Sequence, residues 1–278
     1  MIGRLRSMKI WYLKIDFYFM DHLIRLLIQN ERIISSKNKN LKLTKDEAHY
    51  LNKVMRIKFG KEIFITNGQG SLWKAKNLVN DFIEIINIDT PYSFQKKENF
   101  DLGIAVVVPK NGFEDILKMC TEVGIDFIQP LFSERQVQRN SNFSKKFLRW
   151  NSIINEAVEQ SERLWRPSIL NGLNLFDWID SRDSKDIISI SVTRDNSCDK
   201  LNHWLKKKQN LLFKKGEVLW NVIGPEGGWS KNEIDFFIKN KIPFVKLSEN
   251  ILRTSTATVN VTSILNQWRD DLKSINSL

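Results

Sequence analysis

The sequence is poor in the residues that build metal centres and disulfide frameworks. Its 278 residues include only two cysteines, Cys120 and Cys198, and three histidines, none of them at metal-ligand spacing. We therefore expect no metal site, no disulfide and a reducing, cytoplasmic location. No uninterrupted apolar run approaches the roughly 20 residues of a membrane-spanning helix, which argues against a membrane protein.

The sequence also has fewer acidic than basic residues. The chain has 43 Lys and Arg against 32 Asp and Glu, a formal net charge of +11, and residues 1–100 alone hold 18 basic against 10 acidic side chains. A basic N-terminal third fits a polyanionic partner such as nucleic acid, and it also fits a solubilising surface. Charge by itself leaves both interpretations open.

Residues 1–95 divide into a possible N-terminal extension, 1–21, and a predicted small β-barrel domain, 22–95. Charged residues interrupt any signal-peptide core in the first 20 residues, and Met8 and Met20 are alternative starts. In the barrel, short alternating apolar runs predict strands, and Asn67-Gly68 predicts a hairpin. Thr44 followed by Glu47 is a capping box that predicts a helix. The polar stretch 91–99 marks the domain boundary.

Residues 100–278 show a different pattern of hydrophobic residues. Continuous apolar runs such as Leu102–Pro109 and Val218–Ile223 predict strands buried on both faces, and they alternate with amphipathic helices such as Ser144–Glu162. This alternation predicts an α/β domain with a parallel sheet.

The most informative loop is Ile223-Gly-Pro-Glu-Gly-Gly-Trp-Ser230, between a buried strand and a helix capped by Ser230 and Glu233. Glycine-rich backbone at the carboxyl end of a parallel strand is typical of ligand binding in α/β sheets. The loop lacks the phosphate-loop patterns, and Glu226 would repel a phosphate but suits a cationic ligand such as S-adenosylmethionine. A tight turn without a ligand is the alternative.

A second loop, Leu247–Ala257, follows the next strand and would lie beside the first if the two strands are neighbours. Arg253 stands there between apolar and small residues, which predicts a fixed anionic or carbonyl partner. The hydroxyl residues that follow suit either ligand contacts or simple helix capping.

Together, IGPEGGWS (223–230) and ILRTSTA (251–257) resemble the RsmE family of ribosomal RNA methyltransferases, of the SPOUT superfamily. Three further segments resemble motifs of that family in the same order: AHYLNKVMRIKFG (48–60), VVVPKNGFEDILKMCTEVGIDFIQPLFSERQV (106–137) and RWNSIINEAVEQSER (149–163). The resemblance extends over residues 22–270.

The resemblance implies an α/β protein with an N-terminal PUA-like β-barrel that helps bind RNA, followed by a SPOUT α/β domain with a deep C-terminal trefoil knot. It implies a homodimer that methylates N3 of one uridine in 16S ribosomal RNA, as free RNA or in the small ribosomal subunit. The cofactor would be S-adenosylmethionine, held by Val192, Ile223, Gly224, Pro225, Gly227, Gly228, Leu247, Asn250, Ile251, Leu252, Thr254, Thr256 and Ala257.

For catalysis we expect Arg253 to stabilise negative charge on the uridine carbonyls, with Arg163 or Arg135 as second choices, and Glu226 to act at the same centre. The general base stays open among Glu134, Glu156 and Glu226. The residues expected to contact RNA are Lys53, Arg56, Lys58, Arg135 and Arg163.

Three residues depart from the family pattern: Ser248, Asn250 and Ser255 stand where glycine, arginine and glutamate are usual. A glutamate at position 255 would be a candidate base, so the serine weakens a catalytic role there. Two rival functions remain, a SPOUT methyltransferase for another RNA or atom and a non-catalytic ribosome-assembly protein with a vestigial knot. Absence of cofactor binding would favour the latter.

Overall fold

The computed structural model describes residues 24–36, 39–136, 143–195, 197–209 and 213–276. The chain divides into two compact units, Met1–Gln95 and Lys96–Leu278, and the division falls inside the polar stretch 91–99. The possible extension 1–21 lies outside the described residues.

The N-terminal unit is built around one mainly antiparallel sheet. Its strands and helices in chain order are β1 (Arg25–Leu27), α1 (Asn30–Ile34), β2 (Asn40–Lys42), α2 (Lys45–His49), β3 (Glu62–Thr66), β4 (Ser71–Asn77), β5 (Phe82–Ile86) and β6 (Ser93–Phe94), with a π-helical turn at Tyr50–Val54 after α2. The strand order is β1-β3-β4-β5-β2, with β6 paired to β4. Alternate residues of the strands, among them Ile63, Ile65, Ile83 and Ile85, are buried in the core of this unit.

Local sequence signals fix two features of this unit. Thr44 and Glu47 form the predicted capping box: the Thr44 hydroxyl accepts from Glu47 N at 3.3 Å, and Thr44 N donates to Glu47 Oε2 at 2.8 Å. The predicted hairpin joins β3 to β4, where the Asn67 side-chain oxygen accepts from the backbone N–H groups of Gln69 and Ser71. Both predictions are confirmed.

The C-terminal unit is an α/β structure with a parallel sheet, as the alternating pattern predicted. Its elements are β7 (Asp101–Val107), α3 (Phe113–Val123), β8 (Phe127–Phe132), α4 (Phe143–Gln160), β9 (Ser168–Ile169), β10 (Leu173–Asn174), α5 (Leu175–Asp180), β11 (Ile187–Val192), α6 (Leu201–Lys206), β12 (Val218–Ile223), α7 (Lys231–Lys239), β13 (Phe244–Lys246) and α8 (Thr254–Asn276). The strand order is β10-β8-β7-β12-β11-β13, with β9 paired to β8, and every pairing is parallel.

Close packing at the centre of this sheet depends on a small residue opposite a large one. Gly103 on β7 is in register with Trp220 on β12, and a Cβ at Gly103 would lie 2.2 Å from the indole ring. The Trp220 ring also meets Trp178 edge to face at 5.3 Å, and both side chains are fully buried. Strand β12, which leads into the glycine-rich loop, is therefore held rigidly.

The described residues contain no group of three His, Cys, Asp or Glu side chains that could hold a metal ion. In the same part of the chain, every helix is too short or too polar to cross a membrane.

Candidate active site at the carboxyl edge of the parallel sheet

Sheet order brings the candidate loops together. β12 pairs with β7 on one side and β11 on the other, and β11 pairs with β13. Because these strands are parallel, the loops after β11, β12 and β13 leave the same edge of the sheet. The sequence segments 223–230 and 247–257 thus meet, and Thr254 Oγ1 reaches Gly224 O at 3.4 Å.

Trp229 braces the glycine-rich loop from behind. Its indole Nε1 donates to Ser191 O at 3.0 Å, and its ring packs edge to face on Phe237 at 5.1 Å. A Cβ at Gly224 would come within 2.9 Å of this ring, so the loop backbone can run this close to Trp229 only at a glycine. Trp229 therefore supports the backbone of this loop.

The tip of the same loop presents backbone to solvent. Gly228 has φ +67°, a conformation that favours glycine, and its N–H donates to Pro225 O at 2.9 Å. Among the described residues, no atom lies within 4 Å of the position that a Gly228 Cβ would take. Glu226 is exposed beside it and accepts from Lys110 N at 3.3 Å. Peptide groups and one carboxylate are therefore what this tip offers a ligand.

The segment after β8 contacts the loop through an arginine. Arg135 is exposed, and its guanidinium donates to Gly227 O at 3.1 Å. This contact places a cation at the rim of the glycine-rich loop, where the sequence motif predicted one. The position agrees with a role at the site, while the role itself stays a prediction.

Neighbouring carboxylates hold the start of α7. Glu233 is fully buried; its Oε2 accepts from Ser230 N at 2.7 Å and its Oε1 from Glu134 N at 3.0 Å. Hydrogen bonds from Ser230 and Asn232 lower the pKa of the Glu134 carboxyl below its ordinary value. These hydrogen bonds hold the Glu134 carboxylate beside the start of α7.

The loop after β13 is anchored by an ion-pair cluster that the sequence analysis missed. Glu249 accepts from Lys246 Nζ at 2.8 Å and pairs with Lys200 Nζ at 3.0 Å. These two lysines lower the pKa of Glu249 to about 2. Lys246 N also donates to Asp199 O, which ties the same loop to the segment after β11. The i, i+3 spacing of Lys246 and Glu249 could have indicated their ion pair. The pairing with Lys200 could not be found from spacing, because Lys200 is distant in sequence.

Arg253 does not have the fixed partner that its sequence context predicted. The side chain is exposed at the start of α8, and within the described part of the chain no acceptor contacts its guanidinium. The preceding loop turns it outward into solvent, so burial among apolar neighbours does not occur. The arginine is accordingly accessible to a substrate.

Arg163 is mostly buried, so the prediction that it contacts RNA or the uridine is wrong. Its side chain is only 14% exposed, and its guanidinium donates to Thr121 O at 2.8 Å and Ile125 O at 2.7 Å. A third contact at 3.4 Å pairs it with Asp126. Burial lowers the pKa of Arg163 to about 10, against the opposing effect of Asp126. Arg163 caps the carbonyl end of α3 inside the fold, and its donors are not available to RNA.

The predicted cofactor residues differ in exposure around this edge. Ile223, Pro225, Thr254 and Ala257 are buried; Val192, Gly224, Leu247 and Leu252 are half-buried; and Gly227, Gly228, Asn250, Ile251 and Thr256 are exposed. In the N-terminal unit, Lys53 and Arg56 are both exposed, and Arg56 has φ +55°. Glu156 lies on α4, where it accepts from Ser152 Oγ at 3.3 Å.

Two family models match the chain. An RNA methyltransferase domain matches residues 96–266, and an RNA methyltransferase PUA domain matches residues 43–76. The first covers more than half of the chain and includes all of the loops described above.

Similar proteins carry one name. Ribosomal RNA small subunit methyltransferase E of Synechocystis sp. is 34% identical over 236 residues, which cover 84% of this chain and 74% of that protein. The protein of the same name from Buchnera aphidicola (Acyrthosiphon pisum) is 28% identical, covering 83% and 89%. The crystal structure of the Neisseria gonorrhoeae methyltransferase E bound to S-adenosyl methionine superposes with a TM-score of 0.71 at 22% identity, covering 88% of this chain and 98% of that one.

Proposed function

This chain belongs to the family of ribosomal RNA small subunit methyltransferases E, and from that premise we propose that it methylates N3 of one uridine in 16S ribosomal RNA. It is an S-adenosylmethionine-dependent RNA methyltransferase acting on small-subunit ribosomal RNA. The observation that carries the proposal is the joining of segments 223–230 and 247–257 at one edge of the parallel sheet.

The residues at this edge suit S-adenosylmethionine. The open backbone at Gly228 and the exposed peptide groups around it can bind the polar atoms of the cofactor. Glu226 is an exposed carboxylate, which favours a ligand with an ammonium and a sulfonium group. When bound, the cofactor supplies an electrophilic methyl group.

Arg253 and Glu226 are the groups of this chain that would act on the uridine. Loss of the N3 proton spreads negative charge onto the two flanking carbonyl oxygens, and a cation aimed at one of them lowers the barrier. Arg253 is accessible and uncommitted in the described structure, which supports that role. Glu226 is exposed at the tip of the glycine-rich loop, which supports a role as the acceptor of the N3 proton.

RNA contacts would come from Lys53, Arg56 and Arg135, which are all exposed. Arg135 is already at the rim of the glycine-rich loop through its bond to Gly227. Phosphate contacts by such residues make affinity fall with salt.

The finer architecture follows the same family. We expect the sheet of residues 22–95 to close as a PUA-like barrel that binds RNA, with 1–21 as a possible extension. Residues 100–278 would form a SPOUT domain with a deep C-terminal trefoil knot. The enzyme would act as a homodimer in the cytoplasm, on 16S ribosomal RNA or the small ribosomal subunit.

The direct test is mass spectrometry of nucleosides from small-subunit ribosomal RNA of cells with and without this gene. N3-methyluridine should disappear with the gene and return with a plasmid copy. An unchanged N3-methyluridine signal would overturn the proposed position, and an Arg253→Ala copy serves as the control for catalysis.

A further inference from the structure

The N-terminal unit contains an open cavity of about 410 Å³ that the methyl-transfer site does not use. Its walls come from four stretches of the chain and are lined by Asn40, Phe59, Gly60, Asn77, Leu78, Val79 and Phe82. All of these lie in residues 1–95, the basic third of the sequence.

Two apolar side chains at this cavity face water. Phe59 is 59% exposed and Val79 is 56% exposed. An aromatic ring exposed to water gives up favourable burial, so a ring held this way at a cavity is suited to a ligand that covers it. Such rings on RNA-binding proteins serve as stacking platforms for unpaired bases.

The cavity walls are fixed by backbone bonds. Gly60 N donates to Asn77 O at 2.7 Å, and Asn77 N donates to Lys61 O at 2.9 Å. Gly60 has φ +80°, which lets the chain turn directly after Phe59. The Phe59 platform therefore stands on a defined turn next to the end of β4.

Asn77 is a lining residue whose side-chain amide is held in one orientation. The residue is fully buried, and its Nδ2 donates to Asn52 Oδ1 and to Ile57 O, both at 3.0 Å. These two bonds fix the orientation of the amide. Its Oδ1 has no hydrogen-bond partner within the described part of the chain.

Three lysines are next to lining residues in the sequence or across the sheet. Lys58 and Lys61 flank Phe59 and Gly60, and Lys42 is in register with Phe82. All three are exposed, and none forms an ion pair among the described residues. The exposed Asp81 is the acidic side chain nearest in sequence to the lining residues, and it accepts from Asn52 Nδ2 at 3.4 Å. Glu84 is half-buried and in register with Asn40, so the three lysines outnumber the two neighbouring carboxylates, and the positive excess favours a phosphate-bearing ligand.

We propose that this cavity binds one unpaired nucleotide of the ribosomal RNA substrate, with its base stacked on Phe59 and its phosphates beside Lys58 and Lys61. The inference rests on the proposed function and adds a second anchoring point for the RNA, apart from the uridine that is methylated. The cavity admits a single base, and a paired base within a duplex cannot enter it.

The test compares Phe59→Ala, Phe59→Trp and the control Phe94→Ala in the full-length protein. Phe94 is 63% exposed in the same unit but does not line the cavity. Affinity is measured by fluorescence anisotropy at fixed salt, for a single-stranded fragment of small-subunit ribosomal RNA and for its duplex. Since both phenylalanines are exposed, all variants should fold, which thermal melting checks.

Phe59→Ala should weaken binding of the single-stranded fragment by about 5- to 150-fold, the loss of one stacked base. Phe59→Trp should restore it, and Phe94→Ala and the duplex should show little change. In the methylation assay, Phe59→Ala should raise KM for RNA and leave kcat and cofactor affinity unchanged.

Equal affinities for Phe59→Ala and Phe94→Ala, or equal losses on single strand and duplex, would refute the nucleotide site. The nucleotide site would also be refuted if Phe59→Ala kept full RNA affinity and lost binding to a protein instead. If the wild type binds RNA through Phe59 but leaves N3 of uridine unmethylated, the proposed function fails and this site stands. If the wild type methylates N3 of uridine normally but RNA affinity does not depend on Phe59, the nucleotide site fails and the proposed function stands.

Discussion

Replacing Arg163 by alanine separates a structural role from an RNA-binding one. The guanidinium donates to two backbone carbonyls, Thr121 O and Ile125 O, and pairs with Asp126. Arg269, which is 7% exposed, contacts the other oxygen of the same carboxylate, so Asp126 keeps one partner in the variant. The two carbonyls lose their donors in a buried place.

The expected cost follows from this geometry. Each buried carbonyl left without a donor costs about 1–3 kcal/mol, so the two carbonyls together cost about 2–6 kcal/mol. Loss of the Asp126 contact adds little, because Arg269 still pairs with that carboxylate. We therefore expect Arg163→Ala to lose about 2–6 kcal/mol of unfolding free energy, a large part of the roughly 5–15 kcal/mol typical of a domain.

A matched control is available on the surface of the same unit. Arg149 pairs with Glu114 at 2.7 Å, but their side chains are 70% and 40% exposed. Solvent screening reduces such a pair to at most about 1 kcal/mol, so Arg149→Ala should be nearly neutral.

Urea unfolding followed by tryptophan fluorescence measures both variants. Seven of the nine tryptophans lie in residues 96–278, so the signal reports mainly on this unit. An Arg163→Ala protein as stable as Arg149→Ala, combined with a clear loss of RNA affinity, would refute the structural assignment and restore the RNA-binding one.

Three further predictions concern the candidate active site. Arg253→Ala should lower kcat by about 10²–10³-fold while calorimetry shows unchanged cofactor affinity; near-normal turnover would contradict the oxyanion role. Gly224→Ala should cost about 1–3 kcal/mol and weaken cofactor binding, because its Cβ would lie 2.9 Å from the Trp229 ring; unchanged affinity would show that the loop yields freely. Glu249→Gln should weaken cofactor binding modestly by loosening the loop after Lys246. The pKa of Glu249 is lowered from the ordinary 4.5 to about 2 in the folded protein. The contribution of its carboxylate is therefore fully present above pH 4.5 and is lost only as the pH falls toward 2. A difference in cofactor affinity between wild type and Glu249→Gln that varies between about pH 5 and 8 would argue against the anchor.

Several structural features followed from the sequence because their causes are local. The capping boxes at Thr44 and Ser230 join residues three apart, and the apolar run Val218–Ile223 is a strand buried on both faces. Alternating strands and helices predicted the parallel sheet, since a parallel connection needs a helix between its strands. The glycine-rich loop could be placed at the sheet edge for the same reason.

The roles of individual charged residues could not be found this way. Arg135 and Arg163 both occupy family motif positions, yet one is exposed at the glycine-rich loop and the other is buried under α3. The difference arises from which carbonyls the folded chain brings near each guanidinium, and residue type carries no information about that.

By itself, the sequence determined the α/β class of the C-terminal part, the change of hydrophobic pattern between the two parts, and the two loops that meet at the sheet edge, because periodicity, capping and short motifs act over a few residues. Only the tertiary structure decided that Glu249 anchors a loop through Lys200, and that Phe59, Asn77 and Val79 line one cavity. Those contacts join segments distant in sequence, and they form only when strand pairing and core packing bring the segments together.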